Sequence, residues 1–138
     1  MSNSQNIRTG IIQGIIDLAL PYPIKWPNAE FDTPDSGTWV RVSVIMGSPS
    51  ASGLHKTDRV DGFIQFDVFT DLGSGDLKVY EIADTIRQGL PHNGQSLDSG
   101  GVSVRFESVG INGGLEPVDG WNRAIIECRF FAYVDRTI

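Results

Sequence analysis

Cysteine is nearly absent: Cys128 stands alone in a chain of 138 residues. That excludes an internal disulfide and any zinc cage built from several cysteines. Positive charge is also scarce. Eleven Lys and Arg against seventeen Asp and Glu leave a net charge of −6 and a pI near 4.7. The basic residues are scattered, so general binding to a phosphate backbone, and with it direct contact to nucleic acid, is not expected. No apolar run approaches the ~20 residues that a membrane-spanning helix needs. The opening Met1-Ser2-Asn3-Ser4-Gln5-Asn6 has no basic stretch followed by an apolar core, so no secretory signal and no membrane partner are expected.

What is present is ordinary globular composition: 40% hydrophobic, 9% aromatic and 20% charged residues, enough to bury a core without staples. Residues 1–138 are read as one domain.

Residues 4–20 have the pattern of a helix. Ser2, Asn3 and Ser4 are candidate caps, and Ile7, Ile11, Ile15 and Leu18 form one stripe, widened by Ile12 and Ile16. Gly10 and Gly14 each weaken it by ~1 kcal/mol relative to alanine, and Pro21 and Pro23 end it. A turn-rich stretch over residues 21–37 holds a short extended piece, Ile24-Lys25-Trp26. In the strand expected over residues 38–46, Val40, Val42, Val44 and Met46 alternate with Trp39, Arg41, Ser43 and Ile45. A second strand, residues 60–70, follows a polar, glycine-rich tip, and the two form a long hairpin whose tip is expected to be flexible. The second helix is expected over residues 76–90, with apolar positions Leu77, Val79, Tyr80, Ile82, Ala83, Ile86 and Leu90. Strands at 102–109 and 121–134 close the chain, separated by a linker at Gly110-Ile111-Asn112-Gly113-Gly114. The fold class is α+β: a mainly antiparallel sheet with two helices packed on one face and a long β-hairpin.

Candidate chemistry is thin. His55 and His92 lie in polar stretches with no ligand or triad spacing. Cys128 is read as a buried, inert thiol on the inward side of its strand. Asp58, Asp61, Asp67 and Asp71 match no calcium loop, and alternation aims Asp58 and Asp61 to opposite sides; they are read as solvated charges. A divalent ion held between subunits stays open. Gly73-Ser74-Gly75 precedes a helix but lacks the rest of a dinucleotide or P-loop motif. No nucleophile elbow or HExxH occurs, so no catalytic, metal or cofactor site is assigned and the chain is read as a non-enzyme.

The surplus is apolar surface. Trp39 and Ile45 sit on the polar side of one strand, and Ile125, Phe131 and Tyr133 on that of another. Contiguous surface of this kind marks protein contact, unless loops or the first helix cover it. Trp39, Arg41, Phe131 and Tyr133 are the leading contact candidates, because aromatics and arginine are enriched at hot spots; Ile45 and Ile125 join them.

Taken in order, these pieces resemble the phage tail terminator-like family of long-tailed phages and prophages. After the opening helix comes Trp26-Pro27-Asn28-Ala29-Glu30-Phe31-Asp32-Thr33-Pro34, then the strand Trp39-Val40-Arg41-Val42. The returning strand is Gly62-Phe63-Ile64-Gln65-Phe66-Asp67-Val68-Phe69, the second helix holds Glu81-Ile82-Ala83-Asp84, and Gly120-Trp121 opens the last strand. The likeness covers nearly the whole chain, and its specificity lies in the order of the pieces.

The resemblance implies a hexameric ring on the end of the tail tube that stops tube polymerisation and offers a surface to head-completion and connector proteins. It places the protein in the virion, and in the host cytoplasm during assembly. It makes the tip at residues 47–57, with Ser50 and Leu54, a contact that orders on assembly. A head–tail neck adaptor is the second reading; a small-ligand-binding or enzymatic α+β domain, which would show a pocket with convergent polar groups, is the third.

Overall fold

The computed structural model describes residues 2–51, 57–90, 97–99 and 102–135. Leu54, His55 and His92 fall outside these residues, so the expectations placed on them lie outside the described chain.

Helix α1 spans Asn3–Asp17. Ser2 caps it in a reciprocal box: the Gln5 amide donates to Ser2 Oγ at 3.2 Å, and the Ser2 amide donates to Gln5 Oε1 at 2.8 Å. The predicted stripe is the buried one, with Ile7, Ile11 and Ile15 fully enclosed, each contributing about 1.5–3 kcal/mol by leaving water. Ile16 does not widen it and faces solvent. The chain leaves the helix through Ala19 at φ 52°. Helix α2 spans Leu77–Gly89 and buries Val79, Ile82, Ala83 and Ile86. Its stripe is narrower than the sequence reading, because Leu77 and Tyr80 point outward.

The strands are β1 (Ile24–Lys25), β2 (Trp39–Met46), β3 (Ser50–Ala51), β4 (Thr57–Asp71), β5 (Leu97–Ser99), β6 (Val102–Val118) and β7 (Trp121–Asp135). They form one sheet in the order β1-β2-β4-β7-β6-β5, with β3 paired to β4. Only β1 runs parallel to its neighbour; the other pairings are antiparallel. Two expectations are corrected. The hairpin ladder does not stop at residue 46, since Ser50 and Ala51 pair again with Arg59 and Asp58. Residues 110–114 are not a linker but lie within β6. There the extra residues are absorbed by an irregularity between Asn112 and Glu116, with Gly113 at φ 81°. The β6–β7 turn is the two-residue Asp119-Gly120, both at positive φ (50° and 85°), the backbone of a tight hairpin.

Alternation gives the sheet two unlike faces. Val40, Val42, Ile64, Phe66, Val68, Val104, Ile126, Cys128, Phe130 and Ala132 join the buried residues of both helices in one core cluster. Cys128 is buried there as expected, and burial pushes its thiol pKa up to about 12. Both helices lie on that side, so no helix covers the other face of the sheet among the described residues. No helix among the described residues is long and apolar enough to cross a membrane.

Candidate interaction surface

The open face is built from side chains of β2, β4, β7 and β6 that fall in rows across the sheet. At one end the row is Trp39, Phe69 and Arg123, with Glu116 beyond. Trp39 stacks on Phe69 with ring centroids 4.0 Å apart and 9° between planes, and meets Trp121 edge-on at 6.0 Å. The turn-rich segment folds back over it: Phe31 stacks on Trp39 at 5.3 Å. That segment is pinned where the Gly37 amide donates to both Asp71 carboxylate oxygens, at 3.1 and 3.2 Å. Trp39 is therefore only 7% exposed, and the expectation that it offers free apolar surface is corrected. Local alternation put it on the outward side; a loop then covered it. Asp71 is no idle surface charge either, since it holds that loop.

In the middle of the face Asp67 is buried at 1% exposure, against the reading of it as a solvated charge. Its carboxylate accepts from Arg41 Nε at 2.9 Å and more closely from Arg41 Nη2, while Gln65 Nε2 donates to the other oxygen at 2.8 Å. A carboxylate leaves water at tolerable cost only when its oxygens are matched in this way. Arg41 also lies over Phe69, 5.4 Å from the ring centroid. Ile125, half-buried, occupies the same row.

At the hairpin end Ser50, Arg59, Tyr133 and Ser103 form one row, and Asp61, Phe131 and Arg105 the next. The Arg59 guanidinium sits 4.2 Å from the Phe131 centroid and 5.9 Å from that of Tyr133. Phe131 and Tyr133 meet edge-to-face at 5.8 Å. Arg59 pairs with Asp61 at 2.9 Å and Glu107 at 3.1 Å. Its hydrogen bond to Asp61 foremost, then that to Tyr133, raises its pKa further above the usual arginine range. Ser50 Oγ donates to the Arg59 carbonyl at 3.3 Å. Tyr133 and Ile45 remain 43% and 42% exposed. Ile45, Phe63, Glu127 and Arg129 line a shallow open groove of about 330 Å³ beside this cluster, and its charged groups face each other, Arg129 to Glu127 at 3.4 Å.

Of the sequence candidates, then, Ser50, Phe131 and Tyr133 converge on Arg59, with Ile45 nearby. Arg41 and Ile125 belong to the Asp67 row, and Trp39 is enclosed. Arg59 itself was missed, although its odd-numbered position shares the open side with Asp61 and Phe63. A separate apolar patch was missed as well: Leu72, Leu77 and Tyr80 are exposed around the start of α2, Leu77 at 82%. Among the described residues no group of three or more His, Cys, Asp or Glu is placed to hold a metal ion.

A solved structure overlays the chain with a TM-score of 0.73, covering 96% of each chain at 24% identity, a likeness of fold. No curated protein matches. A family model described as phage tail terminator protein matches residues 7–128, a span that includes most of α1, all of α2, β2, β4 and β6, and the first half of β7. The chain belongs to the phage tail terminator family.

Proposed function

We propose that this tail structural protein caps the phage tail tube as a closed, hexameric ring, ends tube polymerisation and offers its far side to head-completion proteins. The observation that carries the reading is the open sheet face, in a chain of this family, where half-buried Arg59 and Phe131 and exposed Tyr133 form an aromatic–arginine cluster beside exposed Ile45. Aromatic and arginine side chains on one partly exposed patch are the composition of interface hot spots. A heterologous contact repeated by rotation closes a ring without further templating. The work is steric: one ring face fits the last tube ring, and the other does not nucleate another. The protein acts in the virion at the tail end, after assembly in the host cytoplasm, and needs no cofactor.

Light scattering behind size-exclusion chromatography, over a concentration series with and without divalent ions, tests the ring. The expected mass approaches six protomers as concentration rises. Adding the protein to polymerising tail tube protein tests the cap: tubes should stop lengthening at substoichiometric amounts. Tubes that grow unchanged while the protein binds the head connector would favour the neck-adaptor reading instead.

A further inference from the structure

Among the described residues the sheet ends in two unpaired stretches that lie at the same height. β1 pairs with β2 only at Val40 and Arg41, so residues 42–46 have no strand on their outer side among the described residues. β5 pairs with β6 only at residues 102–104, so at the opposite end of the sheet residues 106–111 have no strand on their outer side among the described residues. The printed registers carry one edge onto the other. Met46 lies opposite Gly62, Gly62 opposite Phe130, and Phe130 opposite Phe106; likewise Val42 leads through Phe66 and Ile126 to Ile111.

Direction matches too. Three antiparallel steps separate β2 from β6, so these strands run oppositely. A second copy, turned about an axis along the strands, would bring its β6 beside the first copy's β2 in antiparallel sense. The alternation would then pass from copy to copy without a break.

Neither edge is strongly guarded. Proteins protect free edges with lysine, proline, inward charges or bulges, yet residues 42–46 read Val-Ser-Val-Ile-Met. The other edge has one charge, Glu107, and a small register shift between Phe106 and Ser108. The Val40 amide points outward, to the Pro23 carbonyl at 3.0 Å; by alternation the Val44 and Met46 amides point outward as well. Beneath the edges the core is frayed on both sides: Val44 and Met46 at one, Val109 and Ile111 at the other, are only partly buried. Arg87 Nη2 donates to the Val109 carbonyl at 3.1 Å, and the second lone pair of that carbonyl can still take an amide.

We propose that neighbouring copies join edge to edge, residues 42–46 of one pairing antiparallel with residues 106–111 of the next, so that Val44 meets Val109, with Val42 toward Ile111 and Met46 toward Phe106. The occupant of each edge is a second copy of this chain, because the two edges complement each other in height, direction and apolar character. This seam rests on the ring reading and gives it a mechanism: strand addition repeated head to tail.

The test pairs Ile45→Cys with Ser108→Cys, Gly110→Cys or Asn112→Cys in the full chain, treated with a short bis-maleimide. A Cβ at Gly110 meets nothing within 4 Å, and buried Cys128 stays silent. Assembly is followed by light scattering, and amide exchange at Val44 and Met46 by mass spectrometry. A covalent ladder in at least one double variant, absent from the single variants, is expected, with exchange slowed at least about tenfold in the assembly. A ring that forms without any cross-link, and with unchanged exchange at Val44 and Met46, overturns the edge seam and leaves the ring reading standing. A monomer at every concentration, with and without divalent ions and tube ends, overturns both.

Discussion

The Arg59 guanidinium lies 4.2 Å from the centre of the Phe131 ring, although 72 positions of sequence separate the two residues. β4 and β7 bring them together because Arg59 pairs with Tyr133 and Asp61 with Phe131. The guanidinium is held on the ring by Asp61 and Glu107, which keeps a charged and aromatic patch preformed at the surface. If that patch is a contact in assembly, Arg59→Ala or Phe131→Ala should raise the concentration needed for assembly by about tenfold or more. The melting temperature of the monomer should move by no more than about 2 °C. Equal assembly by the variants at all concentrations would remove this cluster from the interface.

The Arg41–Asp67 pair makes the opposite prediction, a cost in stability. Arg41→Ala strands a buried carboxylate with only Gln65 as partner. Such a loss costs about 3–5 kcal/mol when both charges are deeply enclosed. Arg41 is partly exposed, so water can replace some of the interaction and about 2–3 kcal/mol is expected. Urea unfolding measures it, and Asp67→Asn, which removes the charge but keeps the shape, should cost less than Arg41→Ala.

Trp39→Ala should destabilise the monomer by about 3–5 kcal/mol, since the indole is enclosed by Phe31, Phe69 and Trp121. Tyr133→Ala, at an exposed site on the same face, should cost less than about 1 kcal/mol. Thermal unfolding of the two variants side by side checks the ordering. Similar losses for both would mean that the loop does not hold Trp39 as described.

Gly62 and Gly89 separate two kinds of crowding. A methyl group at Gly62 would fall on the Ile45 carbonyl oxygen and 2.6 Å from Phe130 Cζ; neither backbone nor a core ring can step aside. At Gly89 it would meet only the end of the Leu18 side chain, which can rotate. Gly62→Ala is expected to cost about 3 kcal/mol or more, and Gly89→Ala about 1 kcal/mol, as read from denaturant midpoints.

Cys128 supplies a pH dependence. Burial pushes its pKa from 9.0 to about 12, so the folded state keeps the thiol neutral where the unfolded chain ionises it. The folded pKa is the higher one; its stabilisation is complete below pH 9 and is lost as pH rises toward 12, by about 1.4 kcal/mol per pH unit. Urea midpoints at mildly and strongly alkaline pH, compared with those of Cys128→Ala, isolate this contribution. The native protein should also resist a thiol reagent that labels it fully in urea, and rapid native labelling would contradict the burial.

The fold was legible in the sequence wherever period alone decides. The three-and-four spacing of Ile7, Ile11 and Ile15 marked α1, and the alternation of Val40 and Val42 marked the inward side of β2. Both are local signals, because backbone geometry fixes which side chains share a face. Asp119-Gly120 was a local signal too, and reading it as a tight turn would have carried β6 through residues 110–114 to Val118.

By itself, then, the sequence determined the two helices, the inward faces of the long strands, the buried state of Cys128 and the order of pieces that marks the family. Tertiary structure alone decided what happens on the other face. Trp39 and Tyr133 are both aromatics on the outward side of a strand, and no local rule tells them apart. One is covered because a turn-rich segment, pinned from Gly37 to Asp71, lays Phe31 upon it; the other stays open beside an arginine supplied by a different strand. Exposure is a property of whatever else the chain places above a residue, and that depends on contacts between distant segments that sequence periodicity does not encode.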